Sequence, residues 1–559
     1  LGSNLKILII SLSKFYTLDK SRHFFFTYKF ISKGLFLFGL ICIFCACENQ
    51  QSKHTEGQVF RYNEHANISS LDPAFAKDQR NIWPCNQLYN SLVQFDDSLN
   101  IQPDLAKKWT ISKDALTYTF HLRRDVHFHK NPVFGEDSTR LMNAKDVVFS
   151  LNRLTDAKLA APGSWVMQSV KTVKAENDSV VKIKLNRPFP AFLGLLSMKY
   201  CSVVPQEMEK LSFRSNPIGT GPFYFKRWEA NEKLVFRKND LYFETDKKGN
   251  FLPYLEAVAI TFLPDKQSEF LEFSQGNIDF LSGLDPSYKD ELLTINGELR
   301  QKYSDRIQML KAPYLNTEYL GFYLEGASPE INSQKVRRAI NYGFDRKTMI
   351  DFLRNGIGTP ATQGFIPKGL PSFSKKEFYT YKPEKARQLI QEYSEETGDQ
   401  NPKISISTNA SYLDLVEFIQ RELQKTGLQV DIDVMPPSTL RQQRSAGQLS
   451  VFRASWIADY PDAENYLSLF YSKNFAPNGP NYTHFKSRKF DALYEKAIRI
   501  GELKNRKPLY RKMDSLIMNK AVVAPLYYDE VIRFKQKNVE GLGINPRNLL
   551  DLMRVRKAK

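Results

Sequence analysis

The stretch "YLDLVEFIQRELQKTGLQVDIDVM" (Tyr412–Met435) constrains the fold more than any other. Up to Lys425 its apolar residues recur at helical spacing, and Gly427 stands where a left-handed residue ends a helix. "LQVDIDVM" then alternates apolar and polar residues, as a strand with one buried face does. Helix and strand joined by so short a link form a unit that buries the helix against a parallel sheet. Helical periodicity recurs in "SQKVRRAINYGFDRKTMIDFL", "PEKARQLIQEYSEE" and "SRKFDALYEKAI". Earlier, "LTYTFHLRRDVHFH" (Leu116–His129) places Tyr118, Phe120 and Leu122 on one strand face. In "NAKDVVFSLNRL" Asn143 caps a predicted helix whose Val147, Leu151 and Leu154 share a stripe. No fixed-period repeat interrupts this order. The expected fold is α/β, with two lobes of mixed sheets, and 559 residues suffice for several cores.

The front end reads as an address. Two lysines precede an apolar run from Gly34 to Ala46, and Cys47 follows, then the polar "ENQQSKHTEGQ". Thirteen apolar residues are short for a membrane span, because a helix rises only about 1.5 Å per residue. A basic start, a short apolar core and a small residue before the break describe a secretory signal. With Ala46 ahead of it, Cys47 is the expected lipidation site, although Phe44 stands where such signals usually carry Leu. The competing reading is an uncleaved signal anchor. The first methionine is Met142, so residues 1–28 read as an upstream extension or a misassigned start. Export would leave Cys85 and Cys201 in a compartment that permits a bridge between them.

Net charge is +18, of which +5 falls in the first 47 residues. The basic residues are spread along the chain and no nucleic-acid motif accompanies them, so a solvated basic surface is expected, with no nucleic-acid partner. Catalytic motifs are offered and declined. "SVVK" (Ser179–Lys182) and "KTG" (Lys425–Gly427) match in letters the pair used by penicillin-binding enzymes. Here the serine starts a strand and the glycine closes a helix. His127 and His129, with His121 on the same parity, offer a metal group, but a strand end accounts for them. "DYPDAE" holds Asp459, Asp462 and Glu464, and turns after strands collect such residues. No enzyme activity, cofactor or metal is expected.

Six further motifs, in order, carry a resemblance. They are "SSLDPAF", "PDLAKKWTISKDALTYTFHLRRDVHFHKNPVF", "NPIGTGPFYFKRWEANEKLVFRKNDLYF", "PYLEAVAITFLPDKQSEFLEFSQGNIDFLSG", "VRRAINYGFDRKTMI" and "WIADYPDAENYLSLFYS". From Gly57 to the C-terminus the chain resembles the oligopeptide- and dipeptide-binding proteins of ABC importers, a large solute-binding family. The resemblance implies a two-lobed periplasmic-binding-protein fold of class II type, with an inserted domain and a ligand cleft between lobes. It implies a first lobe of 56–97, 214–314 and 526–559, an insert of 98–213 and a second lobe of 315–525. The crossings would fall in "KAPYLNTEYL" and "AVVAPLYYDE", where closure would hinge. "GTGPF" would need the backbone freedom of glycine.

The implied function is an envelope lipoprotein on the periplasmic side that passes peptides to membrane permease subunits, working as a monomer. A receptor for many peptides must read what all peptides share: an ammonium, a carboxylate and a backbone. By resemblance Asp459, in a W-x-x-D-Y context, holds the ammonium. Arg453, six residues earlier, takes the carboxylate of some short peptides. Ser455 to Ile457 would pair with the ligand backbone and Trp456 would wall it. The facing loop, with Asp78 and Gln79, would supply the other edge. A salt bridge between Arg453 and Asp459 is the competing account. Related receptors carry nickel, haem or oligosaccharides, and a peptide chaperone or sensor would share the fold.

Overall fold

The computed structural model describes residues 58–285, 287–326 and 328–558. The leader and Cys47 lie outside them. Eleven strands form the main sheet: β1 (Val59–Asn63), β2 (Phe223–Glu229), β3 (Lys233–Lys238), β4 (Ala257–Thr261), β5 (Phe280–Ser282), β6 (Ile307–Phe322), β7 (Thr359–Pro360), β8 (Lys403–Thr408), β9 (Gln429–Val434), β10 (Val451–Ile457) and β11 (Val523–Gln536). Their spatial order is β9-β8-β10-β6-β11-β5-β1-β4-β3-β2, with β7 paired to β11. β8 and β9 are parallel, as the helix-then-strand pattern at Tyr412–Met435 predicts. The helix between them, Leu413–Gln424, buries Leu415, Val416, Ile419 and Leu423, and Gly427 adopts a φ of +93° just beyond it.

β6 and β11 are the longest strands and run antiparallel through the middle of the sheet. Ile307–Pro313 pairs with Glu530–Gln536, the register then breaks, and Thr317–Gly321 pairs with Val523–Tyr528. Proline explains the irregularity, since it offers no N–H to a ladder. Pro313 ends the first half, and Pro525 faces Tyr319 at a second register shift. At the break Leu315 turns to other partners. Its N–H donates to the Pro546 carbonyl, and its own carbonyl accepts from the Ala458 N–H, both at 2.9 Å.

A smaller antiparallel sheet of four strands, Ala106–Ile111, Thr117–Leu122, Val180–Leu185 and Val170–Asn177, lies in that order across the sheet. Tyr118, Phe120 and Leu122 point to its buried face, in line with their parity. Asn143 caps helix Ala144–Arg153 in a capping box with Asp146, and Val147 and Leu151 are buried beneath it. Phe120 and Ile183 of this sheet share one core with Phe60 and Phe236 of the main sheet. Each such side chain stabilises the fold by about 1.5–3 kcal/mol through burial.

Two expectations meet a different physical cause. Gly219 and Gly221 of "GTGPF" do not have left-handed backbone. They are glycines because a β-carbon on either would drive into the backbone of Leu88. His129 is buried against the same loop. Its Nδ1 accepts the Gly219 N–H (3.2 Å) and its Nε2 donates to the Gly221 carbonyl (3.0 Å). Burial pulls its pKa down to about 4, so the ring is a neutral fastener of the loop with both nitrogens engaged. Cys85 and Cys201 are both buried and free rather than bridged. Among the described residues no helix is long and apolar enough to cross a membrane.

Candidate functional site

β10 ends at Ile457, and Ala458 is fastened to Leu315 at the register break. This brings Asp459 beside the crossing strands. Two cavities meet there. One, of about 460 Å³, is lined by Asp459, Ile457, Asp78, Gln79, Trp83 and Tyr200 among others. The other, of about 370 Å³, has Tyr412, Arg354, Lys289 and Asp529 in its walls. Tyr314 and Asn548 belong to both, so the two form successive compartments of one cleft astride β6. Each has the volume of an ordinary small-molecule site.

The three carboxylates of "DYPDAE" have different fates. Asp462 pairs with Arg506 at 2.8 Å. Glu464 accepts hydrogen bonds from the hydroxyls of Tyr460 and Tyr494. Asp459 has no ion-pair partner among the described residues. Its Oδ2 accepts from Asn465 Nδ2 at 3.3 Å, and its backbone N–H donates to Asn465 Oδ1 at 3.2 Å. Trp456 fixes that amide by donating its indole N–H to Asn465 Oδ1 at 2.8 Å. Water reaches Asp459 through the cleft mouth, but the walls crowd it enough for desolvation to raise its pKa. The result is a positioned carboxylate facing a cavity with its charge uncompensated.

Arg453 does not bridge to Asp459. It is 5% exposed, forms an ion pair with Glu318 on the neighbouring strand and stacks over the Tyr412 ring. Burial raises the Glu318 pKa, and the guanidinium of Arg453 acts against that rise. Arg354, nearer the cavity, is held by Asp529 at 2.7 Å and by the Tyr527 hydroxyl at 3.1 Å.

Ser455 lies opposite Glu318 and Ile457 opposite Asn316 on β6. β8 pairs β10 only at Val451 and Phe452, so no described strand lies along the other edge from Arg453 to Ile457. Ile457 is 50% exposed at that edge, an uncommon place for a large aliphatic. Across the cavity Asp78 caps the helix Gln79–Leu88, and Gln79 stands at its first turn. The structure therefore brings Asp459, Ile457, Asp78 and Gln79 to one compartment. Arg453 lies behind Tyr412 at the other, and Trp456 packs into the neighbouring core while holding Asn465. Sequence reasoning missed Asn465 and Glu318. Both lie in quoted motifs, "PDAENY" and "NTEYL", but only cross-strand register shows what they hold.

A two-lobed α/β fold with a cleft between the lobes defines a solute-binding receptor. Residues 100–478 match the model described as bacterial extracellular solute-binding proteins, family 5, middle. The chain belongs to this family. It is similar to heme-binding protein A of Haemophilus influenzae, at 30% identity over 465 residues, covering 79% of this chain and 81% of that one. It is similar also to the dipeptide-binding protein of Escherichia coli, at 26% over 486 residues, covering 82% and 87%. Among solved structures, HbpA2 from Haemophilus parasuis superposes with a TM-score of 0.78 at 25% identity, covering 90% of this chain and all of that one. DppA from Helicobacter pylori, in complex with the peptide STSA, gives 0.72 at 26% identity, with 90% and 98% covered. These relatives are binding proteins, and the family is extracytoplasmic.

Proposed function

We propose that this chain is a lipid-anchored receptor of the cell envelope that captures short peptides and delivers them to an ABC importer. Asp459 carries the proposal. Alone among the three acids of its turn it has no cation or hydroxyl of the protein, and it faces a cavity, where a ligand ammonium would complete it. The open edge of Ser455–Ile457 offers main-chain groups to an extended ligand as an added strand, and Asp78 and Gln79 face it from the opposite wall. The ligand's carboxylate would run past Tyr314 toward Arg354 and Tyr412. Contact with Arg453 itself would require its pair with Glu318 to open. The relatives' names point the same way for two of them, a dipeptide-binding protein and a receptor holding a tetrapeptide.

The lobes are proposed to divide as the resemblance implies, with β6 and β11 as the crossings. Lipid on Cys47 would supply the anchor, permease subunits would be the partners, and the receptor would act as a monomer. Calorimetric titration with unmodified and N-acetylated tri- and tetrapeptides tests the reading. Unmodified peptides are expected to bind and acetylated ones to bind poorly. Equal binding would remove the amine-recognition claim. Native mass spectrometry of protein from its own host should show a co-purified peptide; a haem or oligosaccharide mass instead would overturn the peptide assignment.

A further inference from the structure

The compartment that holds Asp459 carries a second, opposite charge centre. Lys199 and Arg547 also line it. Both reach through to a small polar cavity of about 60 Å³ behind it, which Asp96, Asp97, Asp104 and Asp551 line as well. Neither cation has an ion-pair partner among the described residues. Among the described residues the Lys199 ammonium donates no hydrogen bond, and neither does the Arg547 guanidinium, whose Nε is buried without a partner. The Arg547 head lies over the face of Phe95, 4.9 Å from the ring centroid. Of the carboxylates on that small cavity, Asp97 bears on the Arg547 charge without reaching ion-pair distance, and the others have protein donors. Asp104 accepts from Asn90 Nδ2 at 2.8 Å and the Ser91 N–H at 3.0 Å, and Asp551 accepts from the Met553 N–H at 2.9 Å.

Two like charges crowded at one wall repel each other and lose hydration. Burial lowers the pKa of Lys199 and brings that of Arg547 down to about 10. Buried guanidinium groups in this protein differ in how fully they are engaged, and Arg444 and Arg506 also keep buried nitrogens without a partner. Arg337 donates to four backbone carbonyls, and Arg140 forks onto Asp146 and Glu207. What sets Arg547 apart is its place on the wall of the ligand compartment, beside Lys199.

We infer that Lys199 and Arg547 form a carboxylate subsite inside the compartment that holds the ligand's ammonium. It would select peptides that present a negative group close to their amino terminus. That carboxylate comes either from an acidic side chain on an early residue or from the C-terminus of a dipeptide. A planar guanidinium beside a point ammonium suits either. The inference rests on the peptide reading above.

Two isosteric pairs separate the sources: Ala-Glu-Ala against Ala-Gln-Ala, and Ala-Ala against Ala-Ala-amide. Calorimetry, or the fluorescence of Trp83 and Trp165 in the cavity wall, reports affinity. Wild-type protein is expected to favour the carboxylate member of at least one pair by about 10- to 100-fold. In Lys199→Gln and Arg547→Gln that ratio should collapse toward one, and Arg547→Lys should keep part of it. Wild-type protein that binds both members of both pairs equally would overturn the subsite and leave the peptide reading standing. So would a ratio that survives both Gln substitutions. Failure of wild-type protein to bind any of the four would overturn the peptide reading and the subsite with it.

Discussion

Asp459→Asn removes one charge and almost no volume, so it isolates the electrostatic share of ligand capture. Asparagine keeps an oxygen where Asn465 Nδ2 now donates at 3.3 Å. Two unit charges 4 Å apart attract by about 4 kcal/mol at an effective dielectric of 20. Fully buried pairs lose about 3–5 kcal/mol when one partner goes, and exposed pairs up to about 1 kcal/mol. Asp459 is crowded by the cavity walls but open at the mouth. The pair should therefore be worth about 2–3 kcal/mol, or about 30- to 150-fold in Kd. Calorimetry of the best-binding tripeptide measures the loss. N-acetylation of that peptide should cost wild-type protein a similar amount and the variant little, because both changes remove the same interaction. Unchanged affinity in the variant would refute the reasoning. So would penalties that simply add, since the ammonium would then be held by another group.

Four further outcomes follow from contacts described above. Asn465→Ala should weaken peptide binding by about 10-fold in calorimetry, because it removes a hydrogen bond to a charged group and orphans the Trp456 indole. Arg453→Gln should destabilise the protein by about 3 kcal/mol in denaturant unfolding, because Glu318 is left buried and unpaired; adding Glu318→Gln should restore most of it. Gly219→Ala should lower the melting temperature sharply, since the Leu88 backbone leaves no room for a methyl group. Burial raises Asp104 and Asp514 to about 7, so the folded state holds their protons more tightly than the unfolded chain does. That stability is complete below about pH 4 and is lost as pH rises through about 7, at about 1.4 kcal/mol per pH unit for each group. Asp514→Asn should flatten the pH dependence of unfolding by one group's share between pH 5 and 7.

Local signals were legible where chemistry and spacing act within a few residues. The cap at Asn143, the stop at Gly427 and the parity of Tyr118, Phe120 and Leu122 each needed only neighbours in sequence. Asp459 could be picked from a motif, and the structure gives it an uncompensated charge at a cavity. The partner of Arg453 was not legible, because Glu318 lies 135 residues away and meets it only through the register of β6 with β10. The same holds for Lys199, which opens a short 3-10 helix, and Arg547, which sits in a turn, until folding puts them at one wall. The glycines of "GTGPF" show a subtler gap. Their identity was visible, but whether conformation or space demanded it depends on Leu88, a residue more than a hundred positions away.

The break in the β6–β11 ladder bears on how quickly a receptor of this build can answer its ligand. Between Pro313 and Thr317 no rung joins the two long strands, while rungs stand on either side. A bend confined to that line would sever no hydrogen bond of the ladder, so the two halves could change their angle at little enthalpic cost. Angles of nearly equal energy impose only a small population tax on binding. The amide of Tyr314 should accordingly exchange with deuterium faster than the rungs that flank it, whereas that of Leu315 is held by the Pro546 carbonyl. With the hinge proposed at these crossings, Tyr314, standing on that line and shared by both compartments, would couple occupancy of the cleft to the angle between the two halves.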